Sequence, residues 1–222
     1  MKATYLPKIE LSIETKAFCV FMLKAIIQMN LVFIQLNLMY HAEMYEMNEA
    51  VNLDDGFLKQ LELITSGIYS YVYLYPFYYF FKVVFIALIL ATGLQSIKRE
   101  LSFYTLIFFV CICELILVVP DIAKLFWFTY LNNGDYLRIH IRFYSFGTLA
   151  NFFDSEQLTP WLWQFLQSFS IWDLSYLLLL AYLICSYYKL KFDLSFKIVC
   201  YTYGVSYFIF TLLTCLFLFN LR

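Results

Sequence analysis

Lys82, in YYFFKVVFIALIL, and Glu114, in TLIFFVCICELILVVP, are ionisable groups set inside long apolar runs. The chemistry open to such groups is narrow. They can neutralise one another, hold a helix register, dock another span, or pass protons or ions along a polar path. The basic stretch SIKRE lies between the two runs, with Lys82 sixteen positions before Lys98 and Glu114 sixteen after it. If the runs form an antiparallel helical hairpin turning near Lys98, a rise of about 1.5 Å per residue brings both groups to a similar depth. Each isolated charge in a bilayer costs about 2.5–3.5 kcal/mol on insertion scales, and opposite charges at one depth offset that cost. The sequence therefore pairs Lys82 with Glu114, either as a structural pair or as part of a relay. A relay wants further polar groups in line. Lys24, Gln28 and Gln35 form one stripe of the first apolar run, within about 40° of one another at 100° per residue. The same stripe would serve hydrogen bonds between helices.

The elements that must hold these groups follow from composition. Of 222 residues, 63% are hydrophobic, 22% aromatic and only 14% charged, and the mean hydropathy is +0.73. Soluble domains are nearer half apolar and a quarter charged, so the chain is built for lipid. A net charge of −1 and the lack of a basic tail leave nothing to attract nucleic acid.

A bilayer-crossing helix needs roughly 20 mainly apolar residues. Five stretches qualify, at about 17–40, 70–94, 103–128, 172–188 and 196–219. They predict one all-α, polytopic membrane domain over residues 1–222. In a four-span variant, 17–40 lies on the membrane or packs at its edge. Lys and Arg accumulate in short cytoplasmic loops. Lys2, Lys8, Lys16, Lys98, Arg99, Lys189, Lys191 and Lys197 fall on the side of the N-terminus, while the first loop opposite holds Glu43, Glu46, Glu49, Asp54, Asp55 and Glu62. The expected topology is N-terminus in and C-terminus out, in a plasma (inner) membrane.

The outer loop, 129–171, contains DYLRIHIRFYSFG, with Arg138, His140 and Arg142 on alternate positions. Period two reads as a strand or as a segment in the headgroup layer, where these residues could anchor it or contact a headgroup or partner. Thr159-Pro160 then starts a short interfacial helix whose apolar face is Trp161, Leu162, Phe165, Leu166 and Phe169. Asp173 is placed to cap the fourth span. Asp121 and Lys124, three apart beside Pro120, read as a local surface pair.

Catalytic constellations are not apparent. The chain has no Gly-x-Ser-x-Gly, no phosphate-binding loop and no His-Glu-x-x-His. Its two histidines and six cysteines show no ligand spacing, so no metal or other cofactor is expected.

The stretch FLQSFSIWDLSYLLLLAYLICSYYKLKFDLSFKIVCYTYG resembles the end of small five-span proteins of the Yip family, the Ypt/Rab-interacting membrane proteins, and their bacterial relatives. In that family an interfacial aromatic element precedes two closing spans joined by a short basic loop. The hairpin TGLQSIKRELSFYTLIFFVCICELILVVP is similar to the family's second turn. The likeness runs from about Tyr71 onward and lies in hydropathy and spacing; the Asp-Leu-Tyr-Gly-Pro type element of the eukaryotic members does not occur. A bacterial-type relative would be a plasma-membrane protein assisting transporters or envelope assemblies. The expected function is a non-enzymatic accessory subunit or scaffold in a larger membrane complex. The alternative is a small, oligomeric channel or transporter using Lys82 and Glu114. A membrane enzyme using Arg138, His140 and Arg142 ranks behind both.

Overall fold

The apolar runs form helices in the computed structural model, which describes residues 12–50, 55–97, 102–131, 146–153 and 158–220. The first two helices, α1 (Ile13–Ala50) and α2 (Asp55–Gln95), are long. The third span is composite: α3 (Phe103–Glu114), a 3₁₀ turn (Ile116–Val118), α4 (Val119–Phe126) and a π-helical turn (Trp127–Leu131). A short helix, α5 (Pro160–Gln167), precedes α6 (Ile171–Tyr188). The last span joins α7 (Phe192–Val199), a π-helical turn (Cys200–Gly204) and α8 (Val205–Asn220). Among the described residues there is no strand, only an isolated bridge between Thr148 and Ser170. Five helical stretches are long and apolar enough to cross a membrane: Ile13–Gln35, Leu74–Gln95, Phe103–Tyr130, Ile171–Tyr188 and Phe192–Phe217. The protein is an all-α, multi-pass membrane protein.

Two expectations need correcting. The first outer loop, read as acidic connecting chain, is largely helical, because α1 runs on to Ala50 and α2 already begins at Asp55. Ala, Glu and Met between Tyr40 and Ala50 are good helix formers, with no Gly or Pro in the stretch to stop the helix. The start of the fourth span is capped by Ser170, not Asp173. Ser170 accepts from the Asp173 backbone N–H at 3.0 Å, and the Asp173 carboxylate accepts from the Ser170 backbone N–H at 3.2 Å, a reciprocal capping box. Thr159 stands at the N-cap of α5 with Pro160 in its first turn, but its side chain makes no capping hydrogen bond.

The core is apolar and inward: Val83, Ala87 and Leu90 from α2, Leu106 and Val110 from α3, Leu180 and Ile184 from α6, and Val199 from α7. The opposite faces are apolar too, with Phe77, Phe81, Phe210 and Phe217 exposed. A helix hydrophobic all round belongs in lipid.

Pro120 explains the composite third span. Having no N–H, it cannot donate to the Ile116 carbonyl one turn earlier; the Val119 N–H takes that carbonyl instead, tightening the turn to 3₁₀. The break falls just past Glu114, the last residue of α3.

Two glycines allow close approaches. Gly147 has φ +77°, and a Cβ there would meet the Trp172 indole nitrogen at 2.9 Å. That nitrogen donates to the Phe146 carbonyl at 2.9 Å, while Ile171 N–H donates to the Gly147 carbonyl at 3.0 Å, tying residues 146–149 to the start of α6. Gly93 faces the last span, and a Cβ there would collide with the Thr202 methyl and lie 3.1 Å from Ile198 Cγ2. Gly93→Ala is therefore expected to lower stability by about 1–3 kcal/mol. Adding Thr202→Ser, which removes the methyl but keeps the hydroxyl that bonds the Ile198 carbonyl, should recover most of the loss. Thermal unfolding in detergent checks both; a second substitution that restores nothing would contradict the packing.

Candidate functional site

Glu114 is fully buried at 0% exposure, at the end of α3. Two ammonium groups close on it. Lys82 Nζ, from α2, lies 3.0 Å from Oε2 and 2.8 Å from Oε1. Lys24 Nζ, from α1, donates to Oε2 at 2.5 Å. The sequence pairing of Lys82 with Glu114 is thus seen as a contact, but it is half of the arrangement.

Depth brings the three together. Lys24 stands eleven residues from Ile13, Glu114 eleven from Phe103 and Lys82 thirteen from Gln95. At 1.5 Å per residue all three sit about 16–20 Å from the end of the bundle that carries the turn at Ile97. That places them far from either boundary of a hydrocarbon core of about 30 Å.

The two lysines are held differently. Lys24 is 3% exposed, and its ammonium also lies 4.3 Å above the ring centre of Tyr79, a cation–π contact that strengthens where water is excluded. Tyr79 is itself fixed by Phe21, one turn before Lys24 on α1, stacked at 4.8 Å and 9°. The side chain of Lys82 is 30% exposed, and Glu114 is its one charged partner at contact distance among the described residues.

A second polar rung joins α1 to the third span. Gln28 Nε2 donates to the Asp121 carboxylate at 2.7 Å, so Asp121 is tied to another helix and is more than half of a local surface pair with Lys124. First and third spans run parallel, so Lys24–Glu114 and Gln28–Asp121 follow one another along the same seam. Gln35, the third member of the sequence stripe, is half-buried further along α1. Arg138, His140 and Arg142 lie outside the described residues.

Sequence reasoning missed Lys24 as a direct partner of Glu114. The signal was present: Lys24 stands as far from the start of its span as Glu114 does from the start of its own. Hairpin logic compares neighbours in sequence only, and so it reached Lys82 first.

Chemically, the cluster is a carboxylate flanked by two cations, a clamp between three helices. Among the described residues no group of three or more His, Cys, Asp or Glu side chains could hold a metal ion. No protein-family model, curated protein or solved structure matches the chain.

The geometry ranks Glu114 above Lys82. Glu114→Gln leaves two ammonium groups facing each other, one of them buried, and is expected to cost about 3–5 kcal/mol. Lys82→Met keeps the Lys24–Glu114 bond and should cost less than about 1 kcal/mol, since its side chain is the most exposed of the three. Thermal unfolding of the purified variants in one detergent measures the order. A loss for Lys82→Met as large as that for Glu114→Gln would contradict this order.

Proposed function

We propose that this protein is a non-enzymatic accessory subunit or scaffold that packs against a larger membrane complex of the transport or envelope kind. The observation that carries this reading is that the carboxylates of the third span are answered inside the bundle. Glu114 is closed by Lys24 and Lys82, and Asp121 by Gln28. From Glu114 toward the turn end, the core is mainly Val110, Leu106, Leu90, Leu94, Ile184 and Val199, with the buried hydroxyls of Thr105, Ser195 and Tyr188 scattered through it rather than lined up. A conduction path wants polar groups through the whole thickness, and a clamp does not. Outward-facing side chains are large and apolar on every span, which fits lipid or a partner's helices equally.

The placement proposed is a plasma (inner) membrane, with the N-terminus cytoplasmic. Lys189 and Lys191, exposed in the turn before α7, follow the positive-inside rule for that orientation. The interfacial helix followed by two spans and a short basic turn also fits the Yip-like pattern of a bacterial-type membrane subunit. A second reading, a small oligomeric channel or transporter, draws on one observation: Lys82 reaches the outside of the bundle while touching the buried carboxylate.

Tagged protein, extracted from its native membrane in mild detergent, should carry one larger partner in fixed ratio. Reconstituted alone in liposomes, it should conduct no ions or protons above protein-free vesicles. A pure self-assembly whose flux is abolished by Glu114→Gln would overturn the subunit reading in favour of the channel. Cysteine placed at Lys191 should react with an impermeant maleimide only from the cytoplasmic face.

A further inference from the structure

The cluster leaves one cation incompletely answered, and it is the one that faces outward. Two ammonium groups share the single negative charge of Glu114. Lys24 completes its surroundings with the Tyr79 ring. Lys82 has no such second partner among the described residues, although an ammonium carries three donors. The Asp173 carboxylate acts on Lys82 only at longer range than an ion pair, and it is engaged by the Ser170 hydroxyl and backbone N–H at the start of α6.

The position rules out the usual relief for such a lysine. Lys82 stands eight residues inside the Leu74 end of its span, about 12 Å along the helix, and its ammonium is drawn inward to Glu114 rather than out to the headgroups. Snorkelling places the charge in water; this geometry does the opposite. Around it, α2 presents a broad aromatic face: Phe77, Tyr78, Phe81 and Phe85 are 66%, 64%, 68% and 63% exposed. Tyr78 and Phe85, at four before and three after, flank Lys82 on one stripe.

Resting on the subunit reading above, we infer that this face of α2 docks a membrane-spanning helix of a different protein, whose Asp or Glu at matching depth accepts from Lys82. The carboxylate brings the Lys24–Lys82–Glu114 group to neutrality, and the aromatic side chains pack against the incoming helix. Among the described residues, a second copy of this chain does not supply that group from the cluster's depth: Glu114 is fully buried, and Asp121 already accepts from Gln28.

The test uses the full-length protein in its native membrane, with a benzophenone amino acid in place of Phe81 or Phe85 and, as a control, of Phe210, which is 69% exposed on α8. The crosslinked peptides are identified by mass spectrometry. The expected product at Phe81 or Phe85 is a membrane-spanning peptide of another protein with Asp or Glu within one turn of the crosslink. Changing that residue to Asn or Gln, or changing Lys82 to Met, should lower the yield about tenfold, and Lys82→Arg should retain it. Crosslinks at these positions to lipid alone, to a second copy, or to a span without an acidic residue would overturn the inference. If a partner crosslinks only at Phe210, the subunit reading stands and the Lys82 face falls; if no position yields a partner, both fall.

Discussion

A carboxylate in the middle of a bilayer has few ways to be tolerated, and the rest of this bundle is arranged around the way chosen for Glu114. The group is removed from all solvent and met by ammonium groups from two other helices. Removing charges from water is expensive, so such a cluster adds little net stability over an apolar core of the same shape. What it adds is specificity. Only one rotation and one depth of α1, α2 and α3 bring Lys24, Lys82 and Glu114 to a common point, whereas leucine against leucine would accept many.

The surrounding aromatics and the proline serve the same end. Phe21 stacks on Tyr79, and Tyr79 lies beneath the Lys24 ammonium, so one ring sets both the α1–α2 spacing and the position of the cation. Pro120 breaks the third helix shortly after Glu114 and lets Asp121, on the next segment, meet Gln28. At the far side, Gly93 lets the second and last spans approach at Thr202, and the capping box at Ser170 fixes where the fourth span begins. Each device sits where two helices must agree on register.

Much of this was legible in the residues. Run lengths gave the five spans, because a bilayer of fixed thickness demands about 20 apolar residues whatever the partners are. The short basic turn near Lys98 made α2 and α3 antiparallel neighbours and brought Lys82 to the depth of Glu114. Contacts between non-consecutive helices were not legible, since no loop ties α1 to α3; Lys24 was assigned to a polar stripe with no stated partner. The acidic stretch after Tyr40 reads as loop because its charges exclude it from the membrane, yet charge does not prevent a helix from running on into water. Sequence alone puts the cap of α6 on Asp173 because an acid near a helix start can act as cap or as its third-residue counterpart, and only backbone geometry separates the two.

The central claim is that Glu114 exists to neutralise Lys24 and hold α1 in place. It is tested most directly by the combination of Glu114→Gln with Lys24→Met, compared with Glu114→Gln alone in thermal unfolding of the purified protein. If the carboxylate matters because the buried ammonium needs it, removing that ammonium as well should return most of the lost stability. A double variant as unstable as the single one, or less stable, would contradict the account and assign Glu114 a role independent of the first helix.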